Sequence, residues 1–295
     1  MKLINNKTVT FNDVLSNLLK IYCKKKVFFG HGFHTAKDEI YYTSSIITNT
    51  KIDALKGDTK VQIKHFLIIR NIIYTRVNDK TPLIYALGFM KSFETFFVIN
   101  ENVLVPRSHL AELIYSQFKP WLNFNKKINV LDLCTGSGHL AILSSKFLNC
   151  NKIIASDICD KAIEIANLNV SLNNNNNKIK VIKSNLFNKL NKNSNFDIII
   201  SNPPYVLSKN MNKLPGEYKK EPKIALDGGT EGIFLIEKII NQAKNYLSST
   251  GVLILEVGNN KNIIEKKFKE MNIYWLKTEN SINSVCLIDY NNIIL

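Results

Sequence analysis

Asn202, Pro203, Pro204 and Tyr205 follow directly on the apolar run Phe196–Ser201, which reads as a buried parallel strand entering a rigid turn. Ligands of open α/β sheets bind beyond the carboxyl ends of the strands. Two consecutive prolines remove two backbone donors and fix the chain there, so the turn presents mainly acceptors. The Asn202 side-chain oxygen and a carbonyl of the Pro203-Pro204 segment match the two hydrogens of a planar NH2 group, with the Tyr205 ring across its face. The chemistry that fits is recognition of an amide or of an exocyclic amine. The alternative is a proline-stiffened strand end with no chemical role.

A second constellation lies upstream. Residues 128–135 read as a strand, Gly136-Ser137-Gly138 as a turn into a helix over 139–148, and Lys152–Ser156 as a second strand ending at Asp157. Asp157 lies about 20 residues after Gly138, the interval at which an acidic residue meets ribose hydroxyls in nucleotide-binding folds. Strand, glycine turn, helix, strand and acid in that order point to a nucleoside cofactor. Thr135, Gly136 and Gly138 form the turn, Asp157 meets the ribose, and Asp132 holds the amino group of the cofactor or starts the turn. The strand Ile179–Ile182 ends near Ser184–Phe187, which brings Asn185 within reach of a base.

The elements that position these residues require length, and 295 residues suffice for one large core and a smaller satellite. Residues 1–80 read as a small helical N-terminal domain that recognises substrate, with Thr10 or Asn12 as the first cap. Residues 81–106 read as a connecting hairpin, pairing Phe96–Ile99 with Val103–Val105 across Asn100–Asn102. Residues 107–295 read as the α/β domain, a seven-stranded, doubly wound sheet with an antiparallel end. Within it, 206–228 is lid-like, 231–247 and 260–271 are helices, and Ile273–Tyr290 is a closing hairpin. Arg107 opens this domain, as a cap or as a site residue.

Composition sets further limits. Five scattered cysteines without a Cys-x-x-Cys pair indicate neither a disulfide framework nor a zinc site, and His31 and His34 lack ligand spacing. The polar start Met1–Lys7 and interrupted apolar runs argue against a signal peptide or a membrane span and for a cytoplasmic location. The net charge of +15 is compatible with an RNA-bound substrate. Arginine, however, occurs only at Arg70, Arg76 and Arg107 among many lysines, asparagines and isoleucines, a mixture that reads as compositional drift rather than a nucleic-acid face.

Asp132–Gly138 together with Asn202–Tyr205 resembles the S-adenosylmethionine-dependent methyltransferases that modify the side-chain amide of glutamine. Pro82–Tyr85, Val103–Arg107 and Glu221–Leu226 are similar to the same family, in order and spacing. After Arg107 the residues Ser108–Leu113 differ from the Pro-Glu-Thr-Glu of the release-factor branch. They resemble instead the branch that methylates ribosomal protein L three, as do Phe29–Gly32 and Glu217-Tyr218. The resemblance implies S-adenosylmethionine as cofactor, bound by Asp132, Thr135, Gly136, Gly138, Asp157, Asn185 and Asn202. It implies a glutamine of ribosomal protein L three as acceptor, before or during ribosome assembly, held by Asn202, Pro203, Pro204 and Tyr205. Asn202, Pro203 and Tyr205 are then the catalytic residues. Asn185 departs from the acidic residue usual in the family. The alternatives are methylation of release factors, methylation of a nucleic-acid amine, and a non-catalytic ribosome-assembly module.

Overall fold

The computed structural model describes residues 7–192, 194–279 and 281–294; Met1–Asn6 of the polar start lie outside them. The chain divides into two compact units, residues 1–89 with 214–220, and residues 90–213 with 221–295.

In the first unit, β1 (Thr8–Thr10) leads into α1 (Phe11–Tyr22) and α2 (Ala36–Thr48), followed by β2 (Lys60–Gln62), α3 (Ile63–Asn78) and α4 (Leu83–Leu87). Thr10, rather than Asn12, caps α1. Its hydroxyl accepts the Asp13 N–H while Asp13 accepts the Thr10 N–H, a reciprocal pair that satisfies two end donors. The helices bury Phe11, Val14, Leu18, Ile40, Ile69 and Ile73 against one another. The stretch expected to be helical throughout also holds an antiparallel pair, β1 with β2, in which Val9 faces Val61. Its short, Thr- and Val-rich strands suit a pleated surface, and no helical period runs through them.

The second unit begins at the hairpin of β3 (Phe89–Ser92) with β4 (Thr95–Val98), then α5 (Leu110–Tyr115), β5 (Ile128–Leu133), α6 (His139–Phe147), β6 (Cys150–Asp157), α7 (Asp160–Leu172) and β7 (Ile179–Lys183). It continues through β8 (Phe196–Ser201), α8 (Ser208–Met211), α9 (Phe234–Ala243), β9 (Leu247–Glu256), α10 (Lys261–Lys267), β10 (Tyr274–Leu276) and β11 (Val285–Asp289). The hairpin lies earlier than the sequence suggests. It turns at Phe93 and Glu94, both left-handed (φ 44° and 57°). Two contacts explain the shift. The Asn169 side chain takes both the N–H and the carbonyl of Val98, and the Val105 N–H goes to the Glu221 carboxylate instead of to a strand. Helix α5 ends ahead of Gln117 and Phe118, both of which are left-handed.

The seven-stranded sheet has the order β10-β11-β9-β8-β5-β6-β7. Strands β9, β8, β5, β6 and β7 are parallel, and β11 and β10 close one edge antiparallel. Because β8 returns beside β5 after β6 and β7 have been laid down on the other side, the strand order reverses between β5 and β8. A crevice opens there at the carboxyl ends. Leu131, Leu133, Ile199, Leu253 and Leu255 form the sheet's buried centre with Ile236, Ile239 and Ile240 of α9. Among the described residues no helix is long and apolar enough to cross a membrane.

Candidate active site

Two turns meet the crevice. At the end of β5, Cys134, Gly136 and Gly138 all take left-handed backbone (φ 58°, 56° and 78°), a tight path that ends at α6. Asp132 is fully buried beneath it. Its Oδ2 accepts from the Thr135 hydroxyl at 2.6 Å and from the Ala141 N–H at 3.1 Å, while its Oδ1 has no hydrogen-bond partner. Burial pushes the Asp132 carboxyl up to about 7, against the pull of those two donors and with a further push from Asp157. Asp157 ends β6. Its Oδ2 accepts the Gly136 N–H at 2.9 Å and its Oδ1 the Cys159 N–H at 3.0 Å, so it ties the glycine turn to its own strand end. Burial raises its pKa despite these bonds.

At the end of β8, Pro203 and Pro204 are buried, and Asn202 and Tyr205 are half-buried. The turn is pinned by residues distant in sequence. The Val206 N–H donates to the Leu226 carbonyl, and the Asn260 amide donates to the Tyr205 carbonyl at 3.1 Å. A Cβ on Gly228 would lie 2.7 Å from the Tyr205 Cα and 2.9 Å from the Pro204 carbonyl oxygen, so only glycine admits this approach. The Tyr205 hydroxyl donates to Glu256.

One cavity is lined by Cys134, Gly136, Asp157, Asn202 and Pro204, with an apolar wall that includes Ile158, Ala162 and Leu235. The two constellations found in the sequence thus share a site. Asp132 and Thr135 lie beneath that surface, supporting it. A Cβ on Gly138 would lie 3.5 Å from Ala166, and Asn185 is exposed beyond β7; neither residue is on the cavity wall, and nor is Pro203. Tyr205 faces a second, polar cavity with His109, Asn210, Glu256, Asn259 and Ser284. Sequence reasoning passed over Glu256, Gly228 and Asn260. The available signal was a lone carboxylate closing the apolar run Val252–Leu255. Arg107 is not on either wall; its guanidinium forms a two-point pair with Glu221, at 2.6 and 2.8 Å.

The first unit brings together two further stretches singled out in the sequence. Arg76, fully buried in α3, donates to Glu39 of α2, to Glu217 and to the Phe28 carbonyl. The Phe28 N–H also donates to Glu217, and the Tyr218 hydroxyl donates to the Gly30 carbonyl while its ring lies 4.6 Å from that of His31. Burial raises the Glu39 pKa. Burial acts in the same direction on Glu217, but the Phe28 N–H and Arg76 outweigh it and hold that carboxyl below its usual range. Phe29–Gly32 and Glu217-Tyr218 are therefore one structural feature built around a buried arginine.

Residues 112–215 match the family described as "Methyltransferase small domain". Over 294 residues, 99% of this chain and 93% of the relative, the sequence is 34% identical to the ribosomal protein uL3 glutamine methyltransferase of Francisella tularensis. It is 33% identical over 95% of its length to the protein of the same name from Neisseria meningitidis serogroup A, covering 92% of that relative. A methyltransferase from Pyrococcus furiosus has the same fold, with a TM-score of 0.50 at 19% identity over 78% of this chain and 98% of that one.

Proposed function

Because the chain belongs to the ribosomal protein uL3 glutamine methyltransferase family, and so is a methyltransferase, we propose that it transfers a methyl group from S-adenosylmethionine to the side-chain amide nitrogen of a glutamine in uL3, the ribosomal protein L three. The observation that supports this reading is the shared cavity wall of Gly136, Asp157, Asn202 and Pro204, where the glycine turn after β5 adjoins the proline turn after β8.

The residues present fit the cofactor. Asp157 reaches the wall as a hydrogen-bond acceptor for ribose hydroxyls, Gly136 leaves the backbone open, and Ile158, Ala162 and Leu235 offer apolar surface to a base. Two carboxylates whose charged forms are disfavoured by desolvation, the buried Asp132 with an unpartnered oxygen and the half-buried Asp157 on the wall, suit a cationic ligand. When bound, S-adenosylmethionine supplies a sulfonium methyl open to in-line displacement.

The chain's own contribution is orientation. The lone pair of an amide nitrogen is delocalised into its carbonyl, and the nitrogen is a poor nucleophile while planar. Acceptance of its two hydrogens by the Asn202 Oδ1 and the Pro203 carbonyl fixes the nitrogen and favours its pyramidal form. Both bonds strengthen as positive charge develops there. Tyr205 packs against the amide, and proton loss follows transfer. The first unit, with its Arg76-centred feature, recognises the protein substrate, and a ribosomal substrate places the activity in the cytoplasm.

A competition assay tests the reading. Free uL3 and a release factor are offered together with radiolabelled S-adenosylmethionine. Label on uL3, reduced once uL3 is buried in the ribosome, is expected; label on the release factor alone reverses the substrate assignment.

A further inference from the structure

We propose that Glu256 is a positioning residue, which sets the orientation of the Tyr205 ring and through it the acceptor amide; the inference rests on the function proposed above. Glu256 is the last residue of β9, opposite Val285 in the antiparallel edge, and it is 3% exposed. Its Oε2 accepts from the Ser108 hydroxyl at 2.6 Å and from the His109 N–H at 2.9 Å, which anchors the carboxylate to the segment before α5. Its Oε1 accepts from the Tyr205 hydroxyl at 3.2 Å.

A buried carboxylate is costly unless fully hydrogen-bonded, and an apolar residue of similar volume serves stability as well or better. Burial raises the pKa of Glu256, which marks that cost in this fold. The remainder of Tyr205 is held by other means. A Cβ on Gly258 would lie 2.6 Å from the Tyr205 Cε2, so the ring is pressed onto that backbone, and Asn260 and Gly228 fix the main chain. The hydroxyl is the end of the ring farthest from those backbone contacts, and a bond to it sets the ring's lean along the Gly258 surface. Glu256 accepts from that hydroxyl.

The pair lies on the wall of the polar cavity that also presents the buried Ser284 hydroxyl, which has no hydrogen-bond partner. The turn therefore gives Asn202 and Pro204 to one cavity and Tyr205 to the other. Tyr205 stands three residues after Asn202 in the same rigid turn, so a shift of its ring acts on the acceptor side of that turn and not on Gly136 or Asp157. The cost of losing Glu256 should appear in turnover and leave cofactor affinity alone.

The test is a double-mutant cycle on the full-length enzyme with Glu256→Gln and Tyr205→Phe, reading kcat on uL3 per molecule competent to bind S-adenosylmethionine. The glutamine keeps the shape and the anchor to Ser108, but turns an NH2 group toward Tyr205, so the charge-assisted bond from the phenol is replaced by a weaker one of reversed direction. Glu256→Gln is expected to lower kcat at least tenfold with an unchanged cofactor Kd, and to cause no further loss in the Tyr205→Phe background. Equal losses in both backgrounds, or a loss confined to thermal stability, overturn the inference. Glu256→Asp, which keeps the charge but retracts it, runs the same cycle if the glutamine variant does not fold. Carbon-13 labelling of tyrosine Cζ gives a readout independent of turnover: the Tyr205 resonance should move in Glu256→Gln, and an unmoved resonance refutes the contact. Should the wild-type enzyme leave uL3 unmodified, the substrate reading fails while this resonance still decides whether Glu256 holds the ring.

Discussion

The turns after β5 and β8 are both rigid, but they become so in opposite ways. The first is held locally. Its left-handed glycines are its own, and its anchors are Asp132, three residues before Thr135, and Asp157 at the next strand end. The second is held from outside, by Gly228, Gly258, Asn260 and Glu256, all of which lie more than about 20 residues further along the chain. A turn built from its own glycines can present backbone N–H groups and a carboxylate to a cofactor. A turn stiffened by proline and clamped by neighbours keeps its acceptors fixed for a substrate. The division predicts that damage to the first falls on cofactor affinity, and damage to the second on turnover or folding.

The largest expected effect is on turnover. Asn202→Ala removes an acceptor whose hydrogen bond tightens as the amide nitrogen pyramidalises, and kcat should fall by 10²- to 10³-fold, about 3–4 kcal/mol, as for loss of one preorganised partner in a dry site. Cofactor Kd should change far less than kcat, and the melting temperature should barely move. A near-normal rate per folded molecule would return the turn to a stiffened strand end.

Asp157→Ala tests the other side of the comparison. The loss of a charge-assisted contact to ribose should weaken S-adenosylmethionine binding by about 1.5–3 kcal/mol, read by calorimetry. An unchanged Kd removes Asp157 from the site. Gly228→Ala then asks whether the β8 turn depends on its neighbours. The added methyl meets backbone atoms of Tyr205, Pro204 and Gly232 at 2.7–2.9 Å, so denaturant unfolding should show a loss of about 1–3 kcal/mol. A methyl accommodated without loss would mean that the clamp is loose.

The smallest effect is a pH dependence. With its carboxyl raised to about 7, Asp132 is protonated in the free protein below neutrality. A cationic ligand favours the ionised form, so affinity for S-adenosylmethionine should rise by up to about tenfold between pH 6 and 8 and then level off. In the folding equilibrium the same raised pKa contributes stability that is complete below the ordinary carboxylate value. That contribution is lost as pH rises through about 7. Asp132→Asn should flatten both dependences, and an affinity profile unaltered by that change would refute the coupling.

The contrast between the turns also explains what was legible in the sequence. The apolar runs of β5, β6 and β8 and the order of glycine turn and acid announced the parallel sheet and its crevice, because each signal is local. The glycine anchors of the β8 turn were invisible for the converse reason: Gly228 and Gly258 matter only through the approach of a distant tyrosine, and nothing in their own neighbourhood signals it. The hairpin was misplaced because Asn169 and Glu221 satisfy the backbone at Val98 and Val105 from far along the chain. Arg76, one of several basic residues along α3, gave no sign that it would join Glu39 to Glu217.

The measurement that bears most directly on the central claim is a fragment mass spectrum of free uL3 after incubation with the enzyme and methyl-deuterated S-adenosylmethionine. A single labelled methyl on the side-chain amide of one glutamine is predicted, absent when the Asn202→Ala enzyme is used. Label on a lysine, on ribosomal RNA or on no residue of uL3 would contradict it.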